Sequence, residues 1–335
     1  MEVFDWSINL RKLQVEVSSY CNAQCGACIR NKDGGEMHPW LQLQHIDMSI
    51  WERLVYTDTA GVSIEKLTLN GNVGDPGMNP NLPEMMRMYT EAHPETTIYI
   101  ATNGSMQSTD WWENLGTALY QSAHHTVQFA MDGLADTHAI YRRKTDWHKL
   151  CDNIRAFANT GRAQIITTLF DHNVHQIDQI HELAEELGCV HFVTRYSVKD
   201  KISIKTAEEN YTITTDLVDS SMIRNVFLTA DEKPLSLNEK AKKLRIDSSI
   251  MEHSILNTKC PWYNMGEVQI LSDGRVFPCC HISGDFYIDD PVSLNLKDRS
   301  LIDILDDKWY TDTIPKAISN AKWSACRNVC GVCAS

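Results

Sequence analysis

The chain reads as an α/β protein built on a largely parallel sheet. Three observations predict this. Short β-rich runs alternate with amphipathic helical stretches from Leu13 to about Thr194; the runs number six; and Gly161 and Gly188 stand where they would end two of the helices.

The strand candidates, in order, are LQVEV (13–17), IEKLTL (64–69), TIYIAT (97–102), TVQFAM (126–131), QIITTL (164–169) and VHFVT (190–194). Between them the helical period is clearest where Ile177, Ile180, Ala184 and Leu187 recur, and again through Leu150, Ile154 and Phe157. Strand-then-helix units in series imply parallel pairing with right-handed crossovers. Six units fall short of the eight that close a full barrel, which leaves a partial barrel or an open doubly wound sheet. In either, ligands bind at the C-terminal ends of the strands.

Beyond residue 197 the pattern changes. Residues 198–258 show no clear strand-helix alternation and are expected to form a connector. Residues 259–335 carry a hairpin signal, GEVQILSDGRVFPC, with Ser272, Asp273 and Gly274 as its turn, then the helical candidate LIDILDDKWY and a cysteine-rich end. The division is therefore a core of 1–197, a connector of 198–258 and a small α+β domain of 259–335.

Net charge of -13 over 335 residues opposes binding to long nucleic acid, which needs Lys and Arg to displace counterions. No apolar run approaches the ~20 residues of a membrane helix, and the start MEVFDWSINLRK has no signal pattern; a cytoplasmic location is expected. Eleven cysteines in such a chain argue against a disulfide framework. Three lie at 21–28 and six at 260–333, leaving Cys151 and Cys189 between them at packing positions.

Cys21, Cys25 and Cys28 sit in the loop after the first strand, SSYCNAQCGACIRN. A structural zinc site takes four ligands, and the nearest fourth candidate is His38; a cubane cluster held by three thiolates keeps one iron open to a substrate or cofactor. CxxxCxxC at this place resembles the signature of the radical S-adenosylmethionine (SAM) superfamily, and the resemblance extends over nearly the whole chain. It implies a partial (β/α)6 TIM-type barrel whose [4Fe-4S] cluster binds SAM and cleaves it reductively to a 5'-deoxyadenosyl radical. The radical then abstracts hydrogen from substrate.

On that resemblance, Gly74, Asp75 and Pro76 after strand two match the Gly-Glu-Pro element that contacts the SAM amino group. Thr102 and Asn103 end strand three, and Asp132 follows strand four near the expected ribose, or else caps a turn. Arg142, Arg143 and Arg195 are candidates for the SAM carboxylate, the first two being also readable as a solvated pair. Two positions depart from the family pattern: Asp75 replaces Glu, and Ala27 stands where an aromatic residue commonly packs near the adenine. Packing is then expected from the ends of strands five and six.

The order of Cys260, Gly274, Cys279 and the pair Cys330 and Cys333 resembles the twitch/SPASM extension of these enzymes, implying one auxiliary [4Fe-4S] cluster. Spacing alone also allows a zinc ribbon, and Cys280 or Cys326 could substitute in the ligand set. His281 reads as a surface or capping residue. His172, His175 and His181 read as a loop and a solvated helix face, with His172 and Asn173 near the mouth.

The expected activity is hydrogen abstraction from a small polar or nucleotide-linked substrate, the auxiliary cluster assisting electron transfer and a flavodoxin or ferredoxin supplying electrons. The alternatives are a peptide-modifying maturase and, from another class, an iron-sulfur or zinc protein used for binding or electron transfer.

Overall fold

The computed structural model describes residues 9–122, 124–228, 260, 265–281 and 294–319. They fall into two compact bodies, one of residues 16–46 and 68–232, the other of 1–15, 47–67 and 233–335.

The first body holds the predicted parallel sheet. Strands β3 (Thr97–Thr102), β4 (His125–Ala130), β5 (Ala163–Leu169) and β6 (His191–Tyr196) pair side by side and parallel, with Thr102 opposite Phe129, Ala130 opposite Ile166 and Thr168 opposite Arg195. Helices Leu82–Ala92, Thr109–Leu119, Trp147–Ala158 and Ile177–Glu186 make the crossovers. Capping starts two of them: the Ser108 side chain accepts from Trp111 N and Asp146 from Lys149 N, satisfying N–H groups that have no partner within the helix. Their inward faces bury Trp112 and Phe157 against Phe129 of β4, with ring centroids 5.1 and 5.7 Å from the Phe129 ring. Gly188 takes the left-handed conformation (φ 78°) just past its helix, as expected of a C-cap, whereas Gly161 serves by closeness, because a side chain there would run into the Phe157 ring.

The stretch expected to be a connector carries strands through residue 227. β7 (Lys201–Lys205) and β8 (Asn210–Thr214) form an antiparallel hairpin, and β9 (Asn225–Phe227) adds antiparallel to β6. Residues 229–258 lie outside the described residues.

The second body carries β1 (Lys12–Val15), parallel to β10 (Glu267–Ile270), which turns through Leu271–Arg275 into β11 (Val276–Phe277). Gly274 has φ 88°, the turn conformation for which the sequence reserves glycine. Helix Met48–Arg53, capped by Asp47, and helices Leu301–Leu305 and Ile314–Ser319 also belong to it. Strand β2 (Lys66–Leu69) crosses the boundary between the bodies in sequence. Among the described residues no helix is long and apolar enough to cross a membrane.

Candidate functional site

Every residue of the expected SAM site belongs to the first body, in the last residues of its strands, as Thr102 and Arg195 are, or in the segments that follow strands in the chain. The cysteine loop is wound tightly: Cys28 N donates to Cys25 O (3.1 Å) and Asn31 N to Cys28 O (3.2 Å). Arg30, itself buried, donates from Nη1 to Ser19 O (2.8 Å) and to Val73 O. Cys25 is buried and Cys21 and Cys28 half-buried. Burial pushes all three thiols upward, and the guanidiniums of Arg142 and Arg30 oppose it.

Asp75 ties this loop to the end of β3. Its Oδ1 accepts from Gly77 N (2.9 Å) and Thr102 Oγ1 (2.7 Å), and its Oδ2 from Asn103 N (2.8 Å) and Asn103 Nδ2 (2.9 Å). Four donors fill the acceptor sites of one carboxylate. Asn103 Nδ2 also donates to Asn22 Oδ1 (2.9 Å), and Asn22 Nδ2 to Ser105 Oγ (2.9 Å), so the residue after Cys21 is pinned to the β3 loop. Gly74 is required by contact: a side chain there would occupy the place of Ser18 O. Gly74, Asp75, Thr102 and Asn103 are thus brought together, with Pro76 opening the single turn Pro76–Met78. Among them Asp75 spends its side chain on the protein itself.

A second buried acid holds the loop from the other side. Asp132, fully buried, accepts from Thr168 N at Oδ1 (2.5 Å) and from Arg142 Nε at Oδ2 (2.5 Å), while Arg142 Nη1 reaches Cys25 Sγ at 3.5 Å. Asn173 Nδ2 donates to Asp132 O (3.0 Å) and Thr168 O (2.9 Å), fixing the loop that carries the acid. His172 stacks on Phe170, centroids 5.3 Å apart, and His138 Nδ1 accepts from Asp132 N (3.2 Å). Asp132 thus holds the arginine that contacts a thiol, and its carboxylate binds Arg142 and Thr168 N.

The three arginines separate. Arg142 serves Asp132 and Cys25. Arg143 donates from Nε to Glu209 (2.9 Å) and from Nη1 to Gly34 O, and its backbone O accepts from Gln24 N of the cysteine loop (2.9 Å). Neither is a solvated pair member. Arg195 is exposed, donates from Nε to Thr168 Oγ1 (3.1 Å), and forms no ion pair among the described residues.

The hairpin of β7 and β8 covers the cysteine loop, which sequence reasoning missed. Phe170, Ile202, Ile204 and Ile213 form one buried cluster, against which Ala27, Ile140, Tyr141 and Tyr211 pack. A Cβ on Gly26 would overlap Ile204 Cδ1, so the loop's glycine is matched to that methyl group. Ala27, where the family pattern has an aromatic ring, thus faces side chains supplied from 202–213. The signal was the alternation Lys201, Ile202, Ser203, Ile204, Lys205, which reads as a strand with one apolar face.

In the second body Cys260 and Cys279 are buried and Cys280 half-buried. Cys326, Cys330 and Cys333 lie outside the described residues. Cys151 and Cys189 are buried, as expected of packing residues. Among the described residues no three Cys, His, Asp or Glu side chains converge on a single-ion site. A cubane asks for something else, one thiolate at each of several irons, and the donor set of the loop is all thiol. Three sheltered thiols, a guanidinium beside one of them, and a glycine packed without room for a side chain suit such a group.

Residues 260–334 match the SPASM family, described as an iron-sulfur cluster-binding domain. Among solved structures, the chain is similar to Streptococcus suis SuiB bound to S-adenosylmethionine, with TM-score 0.56, 14% identity, 97% of this chain and 72% of that one covered. SuiB bound to precursor peptide SuiA gives TM-score 0.53, 13% identity, and coverage of 92% and 67%. Native anSMEcpe with bound AdoMet and Kp18Cys peptide gives TM-score 0.54, 15% identity, and coverage of 96% and 88%. At these identities the likeness is one of fold: the α/β partial barrel that the sequence predicts, with a SPASM domain at the C-terminal end.

Proposed function

We propose that this chain, which has the radical SAM fold with a C-terminal SPASM domain, cleaves SAM reductively and abstracts hydrogen from a peptide or protein side chain. The observation that carries the reading is the cysteine loop: three thiols within eight residues, clamped by the Asp75 network on one side and the Asp132–Arg142 pair on the other. When bound there, a [4Fe-4S] cluster offers SAM an open iron and the electron that breaks its sulfur-carbon bond to methionine and a 5'-deoxyadenosyl radical.

The chain's own residues do the positioning. Asp75 fixes Thr102 and Asn103, leaving backbone groups of Gly74 and Pro76 to meet the SAM amino group. Arg195, with no acid paired to it among the described residues, is the arginine best placed to hold the SAM carboxylate by a charge-assisted contact. Arg142 offsets thiolate charge at Cys25, and Arg143 holds the hairpin through Glu209. The hairpin keeps water from the loop through Ile202 and Ile204. Cys260, Cys279, Cys330 and Cys333 would hold the auxiliary cluster, which would supply an acceptor for an electron from the substrate.

The precursor peptide bound in the SuiB structure and the peptide bound in the anSMEcpe structure support the peptide reading over a small polar or nucleotide-linked substrate. The test is made on anaerobically reconstituted protein. Given dithionite and SAM it should release 5'-deoxyadenosine, and Cys21→Ala, Cys25→Ala and Cys28→Ala should each abolish release. Iron-loaded native protein that yields none refutes the radical SAM reading. Release stimulated by cell extract, and lost when the extract is treated with protease, supports a peptide substrate; stimulation that survives protease overturns it.

A further inference from the structure

Each sulfur of the cysteine loop has an N–H group beside it, and the donors differ in kind. Cys21 Sγ accepts from Ala23 N (3.4 Å), and Asn103 Nδ2, which also serves Asp75 and Asn22, stands 3.8 Å away. Cys28 Sγ accepts from Arg30 N. All of these donors are neutral, and two are backbone groups that the loop supplies by its own winding. Cys25 is different. Its donor is Arg142 Nη1 at 3.5 Å, 117 residues along the chain and, among the described residues, the one charged group that donates to a thiol of the loop.

The guanidinium is held in that orientation. Its Nε is spent on Asp132 Oδ2 (2.5 Å), its Cζ lies 5.3 Å from the centroid of the Tyr141 ring, and its side chain is 15% exposed. Asp132 is fully buried and fixed in turn, its Oδ1 accepting from Thr168 N and its own N–H donating to His138 Nδ1. The guanidinium therefore bridges a carboxylate and a sulfur. A buried ion pair adds little to stability over apolar side chains of similar volume, so stability alone does not explain an arginine brought to this place. Its effect at the sulfur is electrostatic. Reducing a cluster adds one negative charge, and in a sheltered site a cation and its N–H at a ligating thiolate favour the more negative form more than they would in water.

We propose that Arg142, held by Asp132, sets the reduction potential of the loop's [4Fe-4S] cluster through a charged N–H···S bond to Cys25, making that cluster easier to reduce. The proposal rests on the radical SAM reading and deepens it. The step is the gain of one electron by the cluster, supplied by dithionite in the test below, and no bond of the protein forms or breaks. The two residues act with opposite sign: the arginine favours the reduced cluster, and the carboxylate, by its own charge, disfavours it.

The test is a potentiometric titration of the anaerobically reconstituted full chain with dithionite, the reduced cluster being read by electron paramagnetic resonance. The loop's signal is the part removed by combining Cys21→Ala, Cys25→Ala and Cys28→Ala, which separates it from that of a second cluster. At the native midpoint, Arg142→Gln should lower the ratio of reduced to oxidised loop cluster at least about tenfold, a shift of 59 mV for one electron. Asp132→Asn should raise the ratio at least about threefold. Damage to the loop would move both variants the same way, because each breaks the same ion pair. Shifts in one direction, or ratios within about twofold of native in both variants, overturn the proposal. Should either single variant fail to hold iron, the double variant Asp132→Asn with Arg142→Gln strands no charge, and its ratio should still fall at least about threefold; a ratio within about twofold of native overturns the proposal there too. Native protein with no reducible signal that depends on the three cysteines overturns the radical SAM reading and this proposal with it, whereas a native signal with unmoved variants overturns the proposal alone.

Discussion

Replacing Asp75 by Ala tests the claim that a carboxylate holds the site together from within. The change leaves two backbone donors, Gly77 N and Asn103 N, and two side-chain donors, Thr102 Oγ1 and Asn103 Nδ2, facing a vacated space. The hydroxyl can turn, and Asn103 Nδ2 keeps its bond to Asn22 Oδ1, so the backbone pair dominates. An unmade hydrogen bond at a buried donor costs about 1–3 kcal/mol, and two give a loss near 4 kcal/mol. In a body of roughly 200 residues each kcal/mol moves the melting point by about 2–4 °C, which predicts a fall of about 8–16 °C. Asp75→Asn keeps one oxygen but points an amide at two donors, and should fall between native and Ala. The assay is anaerobic thermal melting of metal-free protein by circular dichroism, with iron uptake measured in parallel. A shift below 2 °C for Asp75→Ala refutes the reasoning.

Three further outcomes are expected. Arg142→Met should destabilise by about 3–5 kcal/mol, because it strands the Asp132 charge in the interior, and adding Asp132→Asn should recover much of the loss; urea unfolding of the single and double variants measures both. Gly26→Ala should cost about 1–3 kcal/mol through overlap with Ile204, and Ile204→Ala in the same chain should relieve it, so a double-mutant cycle that shows no coupling contradicts the packing. Burial lowers the His138 pKa to about 4, with Asp132 opposing. Between an unfolded value near 6.5 and that folded value the unfolded chain binds the extra proton, so stability falls as pH drops through this window, by about 3 kcal/mol at its lower end. His138→Gln should flatten the difference in urea midpoint between pH 7 and pH 4.5, and an unchanged difference removes His138 from the account.

Much of the frame is legible along the chain because it is local. The strands at 97–102, 126–131 and 164–169 were placed within one residue, since each is a β-rich run bounded by polar turns and needs no distant partner to be recognised. The three-thiol loop and the glycine at 274 are local for the same reason. The hairpin at 201–214 was lost in a stretch where two short apolar faces of alternating residues stood among charges, too brief to read as an element until Phe170 and Tyr141 are seen beneath them.

By itself the sequence determined the α/β alternation, the position of the thiols on it and the residues grouped at the strand ends. Only the tertiary structure decided what each charged side chain does: it sent Arg142 to Asp132 and Cys25, Arg143 to Glu209, and left Arg195 exposed, although the first two are neighbours in the chain. The reason is physical. Helix and strand periods are written in residues a few positions apart, whereas the partner of a buried charge is chosen by whatever folding brings within about 3 Å, here from ten residues away to sixty-six.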